Sequence, residues 1–260
     1  MPGVGITVLK SGSDGNCTVV HCGESALLID CGVCLKALRA GLEQAGIQEQ
    51  WIKGILITHE HADHVKGLDV VARHLGVPVY ATRLCADYLR GHIKKAPAFT
   101  LIEKGCDFGV GGFGVRAFPL QHDAVETVGY MLTHESTKVG VATDFGAATA
   151  TTDFHLRGSD TLMIESNYDL NLLAASTRPW RLKQRILGPH GHMSNPDCAE
   201  MLGRILSANT RNVILAHISG ECNKPELARA GAEASLRALQ RQEVFLTCGS
   251  RSKAIPTVWC

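Results

Sequence analysis

The sequence predicts an α/β fold whose strands deliver polar residues at their ends. Short apolar runs alternate with segments of helical apolar spacing along the whole chain. Histidine and aspartate recur directly after those runs, most densely in Thr58-His59-Glu60-His61-Ala62-Asp63-His64. The composition is ordinary for a globular protein, 45% hydrophobic and 20% charged. A chain of 260 residues can bury a sizeable core and fits one large domain or two intimate halves.

Ile6 to Leu9 reads as the first strand. It ends in Ser11-Gly12-Ser13-Asp14-Gly15-Asn16, a small polar loop whose glycines permit close backbone approach. That loop suits a hairpin turn, a brace for neighbouring loops, or a phosphate contact through Ser13 and Asn16. Thr18 to Val20 and Ala26 to Asp30 read as the next strands. Leu35 to Ala45 carries Leu35, Leu38 and Leu42 at helical spacing and stops at Gly46. Ile55-Leu56-Ile57 reads as a buried strand, and Val65 to Leu75 as the helix that follows.

Pro78 to Ala81 is a short strand and Leu84 to Leu89 a helix. Beyond it, Arg83, Arg90, His92, Lys94 and Lys95 suit either solvent or an acidic ligand. Gly105 to Val115 is a glycine-rich hairpin, and Val115 to Leu120 is a strand leading to His122. Val128 to Leu132 and Lys138 to Ala142 are strands, the second closing on Asp144. Thr161 to Ile164 ends at Glu165-Ser166-Asn167. Arg178 to Leu187 is a basic amphipathic segment with Arg178, Arg181, Lys183 and Arg185. It runs into Gly191-His192-Met193-Ser194-Asn195, where Asn195 and Pro196 read as the cap and first turn of a helix through Leu206. Val213 to Ala216 is a strand ending at His217. Pro225 to Leu239 is a closing helix, and Val244 to Thr247 a last strand.

In a loop, residues one and two apart turn toward a common point. His59 and His61 can share one metal ion, while Asp63 and His64 reach a second beside it. Neutral imidazole and carboxylate suit zinc, manganese or iron. Four potential ligands at this spacing invite a metal site rather than a polar turn.

The net charge of +1 excludes a strongly basic chain. A polyanion would have to bind a local patch or the metals. The ten cysteines are scattered. Cys17, Cys22 and Cys31 fall in or beside apolar runs, where reduced buried thiols are common. Cys31-Gly32-Val33-Cys34 has no second pair nearby and reads as structural. No signal peptide and no membrane span is visible, so a reducing cytoplasm is the expected setting.

His59-x-His61-x-Asp63-His64 after an apolar strand resembles the signature of the metallo-β-lactamase fold superfamily. The resemblance implies a four-layer αββα sandwich with the metal site at one edge. It implies one domain over residues 1–260, built of two pseudo-related αβ halves meeting near 125–135. It implies two divalent ions, zinc or manganese with iron also admissible. His59, His61 and His122 would hold one, Asp63, His64 and His217 the other, and Asp144 would bridge them. Ser11-Gly12-Ser13, His122-Asp123-Ala124, Thr143-Asp144, Glu165-Ser166-Asn167, Gly191-His192-x-Ser194-Asn195 and Ala216-His217-x-Ser219 together resemble metallo-hydrolases of the YycJ/WalJ type, bacterial relatives of RNase Z and the β-CASP nucleases. Tyr168 and Asp14 depart from that pattern, and His190 adds an imidazole.

This narrower resemblance implies a metal-dependent phosphodiesterase, an exonuclease acting on double-stranded DNA from the 5′ end with a metal-bridging hydroxide as nucleophile. His192 would orient the phosphate or protonate the leaving oxygen. Glu165 or Asp63 would hold a metal-bound histidine or the nucleophilic water. Ser13, Asn16, Ser194, Asn195, Arg178 and Arg181 are candidate substrate contacts, although Ser194 and Asn195 equally suit a helix cap. A small-molecule hydrolase of the same fold, for a cyclic phosphodiester, thioester or lactone, is the alternative. A binding module that has lost catalysis is a third reading, and the complete ligand set argues against it.

Overall fold

Two seven-stranded sheets lie face to face in this computed structural model, which describes residues 3–260. The first half of the chain builds β1 (Gly5–Lys10), β2 (Cys17–Cys22), β3 (Ser25–Ile29), α1 (Leu35–Gln44), β4 (Ile52–Leu56), α2 (Ala62–Val65), α3 (Leu68–Leu75), β5 (Val79–Thr82), α4 (Arg83–His92) and β6 (Phe99–Ile102). The second half builds β7 (Asp107–Val110), β8 (Phe113–Leu120), β9 (Thr127–His134), β10 (Thr137–Ala142), α5 (Ala150–Leu156), β11 (Thr161–Glu165), α6 (Leu170–Ala175), α7 (Trp180–Leu187), α8 (Asn195–Ile205), β12 (Asn212–Ala216), α9 (Pro225–Ala238) and β13 (Phe245–Cys248). The last strand, β14 (Val258–Trp259), returns to pair with β1. The sheet orders are β14-β1-β2-β3-β4-β5-β6 and β13-β12-β11-β10-β9-β8-β7.

Apolar residues sort this into four layers. Ile6, Val20, Leu27 and Leu56 of the first sheet share one core with Val115, Tyr130, Val141 and Ile214 of the second. The outer face of the first sheet packs against α1, α3 and α4 through Leu38, Leu42, Val71, Ala86 and Leu89. The outer face of the second packs against α5, α8 and α9 through Leu156, Met201, Leu202 and Leu236. Strands buried on both faces must be apolar nearly throughout. β11 and β12 are buried at every position, which is why they read so clearly in the sequence.

Strands β3 to β6 run parallel, as do β10 to β13. Parallel strands collect their carboxyl ends along one edge, and side chains leaving those ends meet there. β4, β10, β11 and β12 each end in a candidate site residue for this reason.

Several local expectations need correcting. The helix expected over Val65 to Leu75 is two pieces, α2 and α3, broken at Gly67. A Cβ at Gly67 would stand 1.8 Å from the Val33 carbonyl oxygen, so the chain passes too close to another backbone for an unbroken helix with side chains there. The α8 cap is Ser194, whose Oγ accepts from the Asp197 N–H, rather than Asn195. The chain leaves the first sheet between Ile102 and Asp107, not near 125–135, because β7 and β8 already pair as a hairpin in the second sheet. β6, α5, α6 and β14 were not anticipated. No helix among the described residues is long and apolar enough to cross a membrane.

Candidate metal centre

β4 delivers Thr58, His59 and His61 through the loop behind it. Asp63 and His64 lie in the helical turn α2 that follows. His122 follows β8, Asp144 follows β10, Glu165 ends β11, and His217 follows β12. Asp144 and His217 adopt left-handed backbone, with φ of 61° and 53°, as does Asp30 after β3, at 60°. Such conformations cost of order 1–3 kcal/mol for a side-chain-bearing residue and persist only where the surroundings enforce them. Three of them, from both sheets, fall around His64, which contacts Asp30 and Asp144 directly and lies near His217.

The side chains converge in overlapping groups whose potential ligand atoms lie within 4.8 Å of one another. His59, His61 and His122 form one group, and Asp63, His64 and His217 another. Asp144 joins His59 and His64 in a third, and Glu165, His192 and His217 in a fourth. His64 Nε2 lies 3.1 Å from Asp144 Oδ2 and 3.4 Å from Asp63 Oδ2. Yet the buried atoms His59 Nε2, Asp144 Oδ2 and His217 Nε2 have no hydrogen-bond partner. An unsatisfied buried polar atom costs about 1–3 kcal/mol. Three of them aimed into one cluster of nitrogen and oxygen donors fit a site for divalent cations.

Charge tells the same story. Burial keeps His59 well below the ordinary histidine range and lowers His122 too, which favours the neutral, ligating form of both. Burial opposes protonation of His64 too, but the Asp144 and Asp30 carboxylates raise it well above that range. His217 is likewise pushed up to about 10 against burial, by Asp144 and by its contacts with Asp63 and Glu165. Burial works against ionisation of Asp144, which His217 and His64 nonetheless hold well below the usual carboxylate range. Without cations, protonated imidazoles must balance the buried carboxylates.

A second ring of contacts aims these groups. Asp30 Oδ2 accepts from Thr58 Oγ1 at 2.8 Å and lies 2.7 Å from His64 Nδ1. Its Oδ1 accepts from the Thr58 N–H at 2.8 Å. Sequence reasoning left Asp30 as the end of a strand. Its signal was the one shared by Asp144 and Glu165, a carboxylate closing an apolar run. Glu165, fully buried, places Oε1 2.8 Å from both His192 Nδ1 and His217 Nδ1. Its Oε2 accepts from the Phe145 N–H at 2.9 Å. Asn167 Nδ2 donates to the His217 carbonyl at 2.8 Å, and His122 Nδ1 sits 2.9 Å from the Gly191 carbonyl. Gly191 itself is required by space, since a Cβ would stand 2.2 Å from the Arg185 carbonyl oxygen.

The expected substrate contacts divide. Ser13, Arg178 and His192 line one cavity of about 210 Å³ beside the ligand cluster. Arg181 is exposed and lies outside that cavity's lining. Asn16 is buried, and its Nδ2 reaches Asp63 Oδ2 at 3.1 Å and His64 Nε2 at 2.9 Å, so it braces the ligands. Ser194 caps α8. Asn195 is buried in a polar knot with Ser166 and Asn223. The geometry leaves these three facing protein.

A model of the beta-lactamase superfamily domain matches residues 26–218, which contain every residue of the ligand cluster. The chain belongs to the beta-lactamase superfamily. Within it, the chain is of the YycJ/WalJ type and is a metal-dependent hydrolase. It is 36% identical over 230 residues to exodeoxyribonuclease YycJ of Bacillus anthracis, covering 87% of each chain. It is 33% identical over 228 residues to exodeoxyribonuclease WalJ of Streptococcus pneumoniae, covering 85% of this chain and 84% of that one. Among solved structures, the metallo-beta-lactamase fold protein YhfI of Bacillus subtilis superposes with a TM-score of 0.73 at 15% identity, over 98% of this chain and 99% of that one. The short form of human tRNase Z superposes with a TM-score of 0.66 at 16% identity, over 96% and 98%. The two structural likenesses bear on the fold.

Proposed function

We propose that this hydrolase is a dinuclear phosphodiesterase, an exonuclease that degrades double-stranded DNA from the 5′ end. Its two divalent ions are zinc or manganese, with iron also accommodated by the donor set. The observation that carries the reading is His192. Its Nδ1 is held 2.8 Å from Glu165, its ring centroid lies 5.1 Å from that of His122, and it forms one wall of a cavity lined by Arg178 and Arg185. A positioned imidazole between the candidate ligand cluster and two guanidinium groups suits a phosphate better than a lactam or thioester carbonyl. The exodeoxyribonuclease relatives support the choice of DNA.

In this reading His59, His61 and His122 would hold one ion, Asp63, His64 and His217 the other, and Asp144 would serve both. The ligand groups support that partition. When bound, the ions supply Lewis-acid activation of water and neutralise charge at phosphorus. The chain's own residues do the rest. Burial opposes protonation of His192, but Glu165 raises it above the ordinary histidine range. Its Nδ1 faces Glu165, so Nε2 is the atom that gives a proton to the leaving oxygen. Glu165 holds His192 and His217 in register, and Asp30 does the same for His64.

The test is a digestion time course with manganese-loaded protein on linear duplex DNA labelled at the 5′ or 3′ end, with single-stranded DNA and RNA alongside. Metal-dependent release of the 5′ label, absent in His59→Ala, is the expected result. Hydrolysis of bis(p-nitrophenyl) phosphate with no cleavage of any polymer would replace the nuclease with a small-phosphodiester hydrolase.

A further inference from the structure

A different cavity, of about 340 Å³, opens beyond His61, between α2 and α4. His61 lines it directly. His122 neighbours both His61 and His192, with ring centroids 5.0 Å from the one and 5.1 Å from the other. This cavity and the one beside His192 share no lining residue. Neither the proton transfer nor the ligand partition proposed above uses it.

Its lining is chosen for a flat, uncharged group. Val65, Leu89 and Ile93 supply apolar surface. Tyr88 and His92, one turn apart on α4, add two rings. These stack with centroids 3.9 Å apart and planes 9° from parallel, and His92 Nδ1 lies 2.8 Å from the Tyr88 carbonyl oxygen, which fixes the imidazole. Tyr88 is 39% exposed, while Cys85, Ala86 and Leu89 of the same helix are buried. A ring stacked on one side has its other face left for a planar partner.

One polar group is left over. Glu60, between the ligands His59 and His61, is buried, and its Oε1 accepts from the Val125 N–H at 2.7 Å. Its Oε2 is buried with no hydrogen-bond partner, although Glu60 lines the cavity. A buried carboxylate oxygen in that state calls for an N–H or O–H donor. Nothing here grips a phosphate. Among the described residues the lining holds one lysine, Lys66, whose Nζ donates to the Asp14 carbonyl oxygen, and one aspartate, Asp69. Arg90, which the sequence offered to an acidic ligand, pairs with Asp87 at 2.6 Å and lies over the Phe99 ring. The volume falls near the ~300 Å³ lower end of ligand pockets, room for one nucleobase and its sugar and not for a base pair.

Resting on the phosphodiesterase reading, we propose that this cavity is a subsite for the nucleobase of one nucleotide whose phosphodiester lies at the ligand cluster. The base stacks on Tyr88, His92 backs that ring, and an N–H on the pairing edge of the base is donated to Glu60 Oε2. Each of the four DNA bases carries such an N–H, and each has a flat face. One carboxylate oxygen and one aromatic ring therefore hold any base, which suits digestion without sequence preference. Tyr88 is the residue that distinguishes a nucleoside-bearing phosphodiester from a bare one.

The test compares manganese-loaded full-length protein on thymidine 5′-(p-nitrophenyl phosphate), thymidine 3′-(p-nitrophenyl phosphate) and methyl p-nitrophenyl phosphate, which share a leaving group and differ in the nucleoside. One base stacked on an aromatic ring is worth about 5–150-fold, so the better thymidine ester should exceed the methyl ester by at least about fivefold in kcat/KM. Preference for the 5′ or the 3′ ester identifies the sugar oxygen through which the nucleotide enters, and both outcomes support the subsite. In Tyr88→Leu the ratio should fall toward unity, and in Tyr88→Phe, which keeps the ring, it should stay. A general loss of activity lowers both rates alike and leaves the ratio unmoved. Equal wild-type rates, or a ratio unchanged in Tyr88→Leu, overturn the proposal. The N3-methylthymidine ester has the same face and no N–H on that edge, so it should fall at least about fivefold below its thymidine counterpart. Equal rates for that pair remove Glu60 Oε2 as the acceptor. Stacking is read without turnover by the fluorescence of 2-aminopurine deoxyriboside 5′-monophosphate, expected to be quenched by the wild type and not by Tyr88→Leu. Failure to hydrolyse any of the esters strikes the phosphodiesterase reading, whereas absence of quenching sinks the subsite even if that reading stands.

Discussion

Replacing Glu165 with glutamine tests the centre of the mechanism with almost no change of shape. The carboxylate is fully buried and surrounded by donors: Oε1 faces His192 Nδ1 and His217 Nδ1 at 2.8 Å each, and Oε2 accepts from the backbone N–H of Phe145 at 2.9 Å and of Met193 at 3.4 Å. A glutamine offers one oxygen and one NH₂. With the NH₂ toward the imidazoles, it confronts two ring nitrogens that must then give up their protons. With the NH₂ toward the backbone, it confronts two N–H donors that cannot change. Either orientation leaves two mismatched contacts, each costing about 1–3 kcal/mol. Glu165→Gln should therefore lose about 2–6 kcal/mol of stability by chemical denaturation. It also removes the negative charge that supports a proton on His192. If His192 is the general acid, turnover of bis(p-nitrophenyl) phosphate should fall by roughly 10²–10⁴ with both ions still bound. The assay is steady-state hydrolysis alongside metal content by mass spectrometry and a denaturation curve. Wild-type turnover and wild-type stability in the metal-loaded variant would refute the reasoning about Glu165 and His192 together.

His192→Ala should retain metal and lose roughly 10²–10⁴ in phosphodiesterase rate, and an unchanged rate would remove His192 from proton transfer. His59→Ala and Asp144→Ala should lose turnover by losing metal, which metal analysis of the purified variants reads directly. Asp30→Ala should weaken metal binding by about 10–100-fold, because His64 and Thr58 lose the group that aims them, and a competition titration with a chelator checks it. Binding of the ions should release protons. His217, pushed up to about 10, and His64, also raised, carry protons in the ion-free protein at neutral pH. Ions and protons then compete, so affinity rises with pH. An indicator dye that detects no proton release when manganese is added would contradict that charge balance.

The sequence by itself determined most of the strands and the order of the candidate ligands that follow them. β11 and β12 are buried at every position, so their centres, Leu162 to Ile164 and Val213 to Leu215, had to be apolar and could be read from one chain. A ligand placed directly after such a strand has little freedom, since the strand's carboxyl end fixes where it emerges. That is why His59, Asp144 and His217 could be named from sequence as candidate ligands. Elements held by tertiary contacts were harder to see. Thr151 and Thr152 are poor helix formers, and α5 is fixed instead by the reciprocal Thr149–Thr152 capping box and by Leu156 packed on the second sheet. β6 is a short edge strand with Thr100 and Leu101 exposed, so its pattern is weak.

Only the tertiary structure decided which polar residues face one another. Asp30 lies 34 positions from His64 and Glu165 lies 27 from His192, and no local pattern encodes either contact. The same holds for the basic segment. Arg178, just before α7, and Arg185 within it line the cavity, while Arg181 is exposed on α7 and Ile186 is buried. Spacing in a sequence records how often a chain must bury or expose a side chain. It does not record the long-range pairing of polar groups, which is set by how the two sheets bring their strand ends to a common edge.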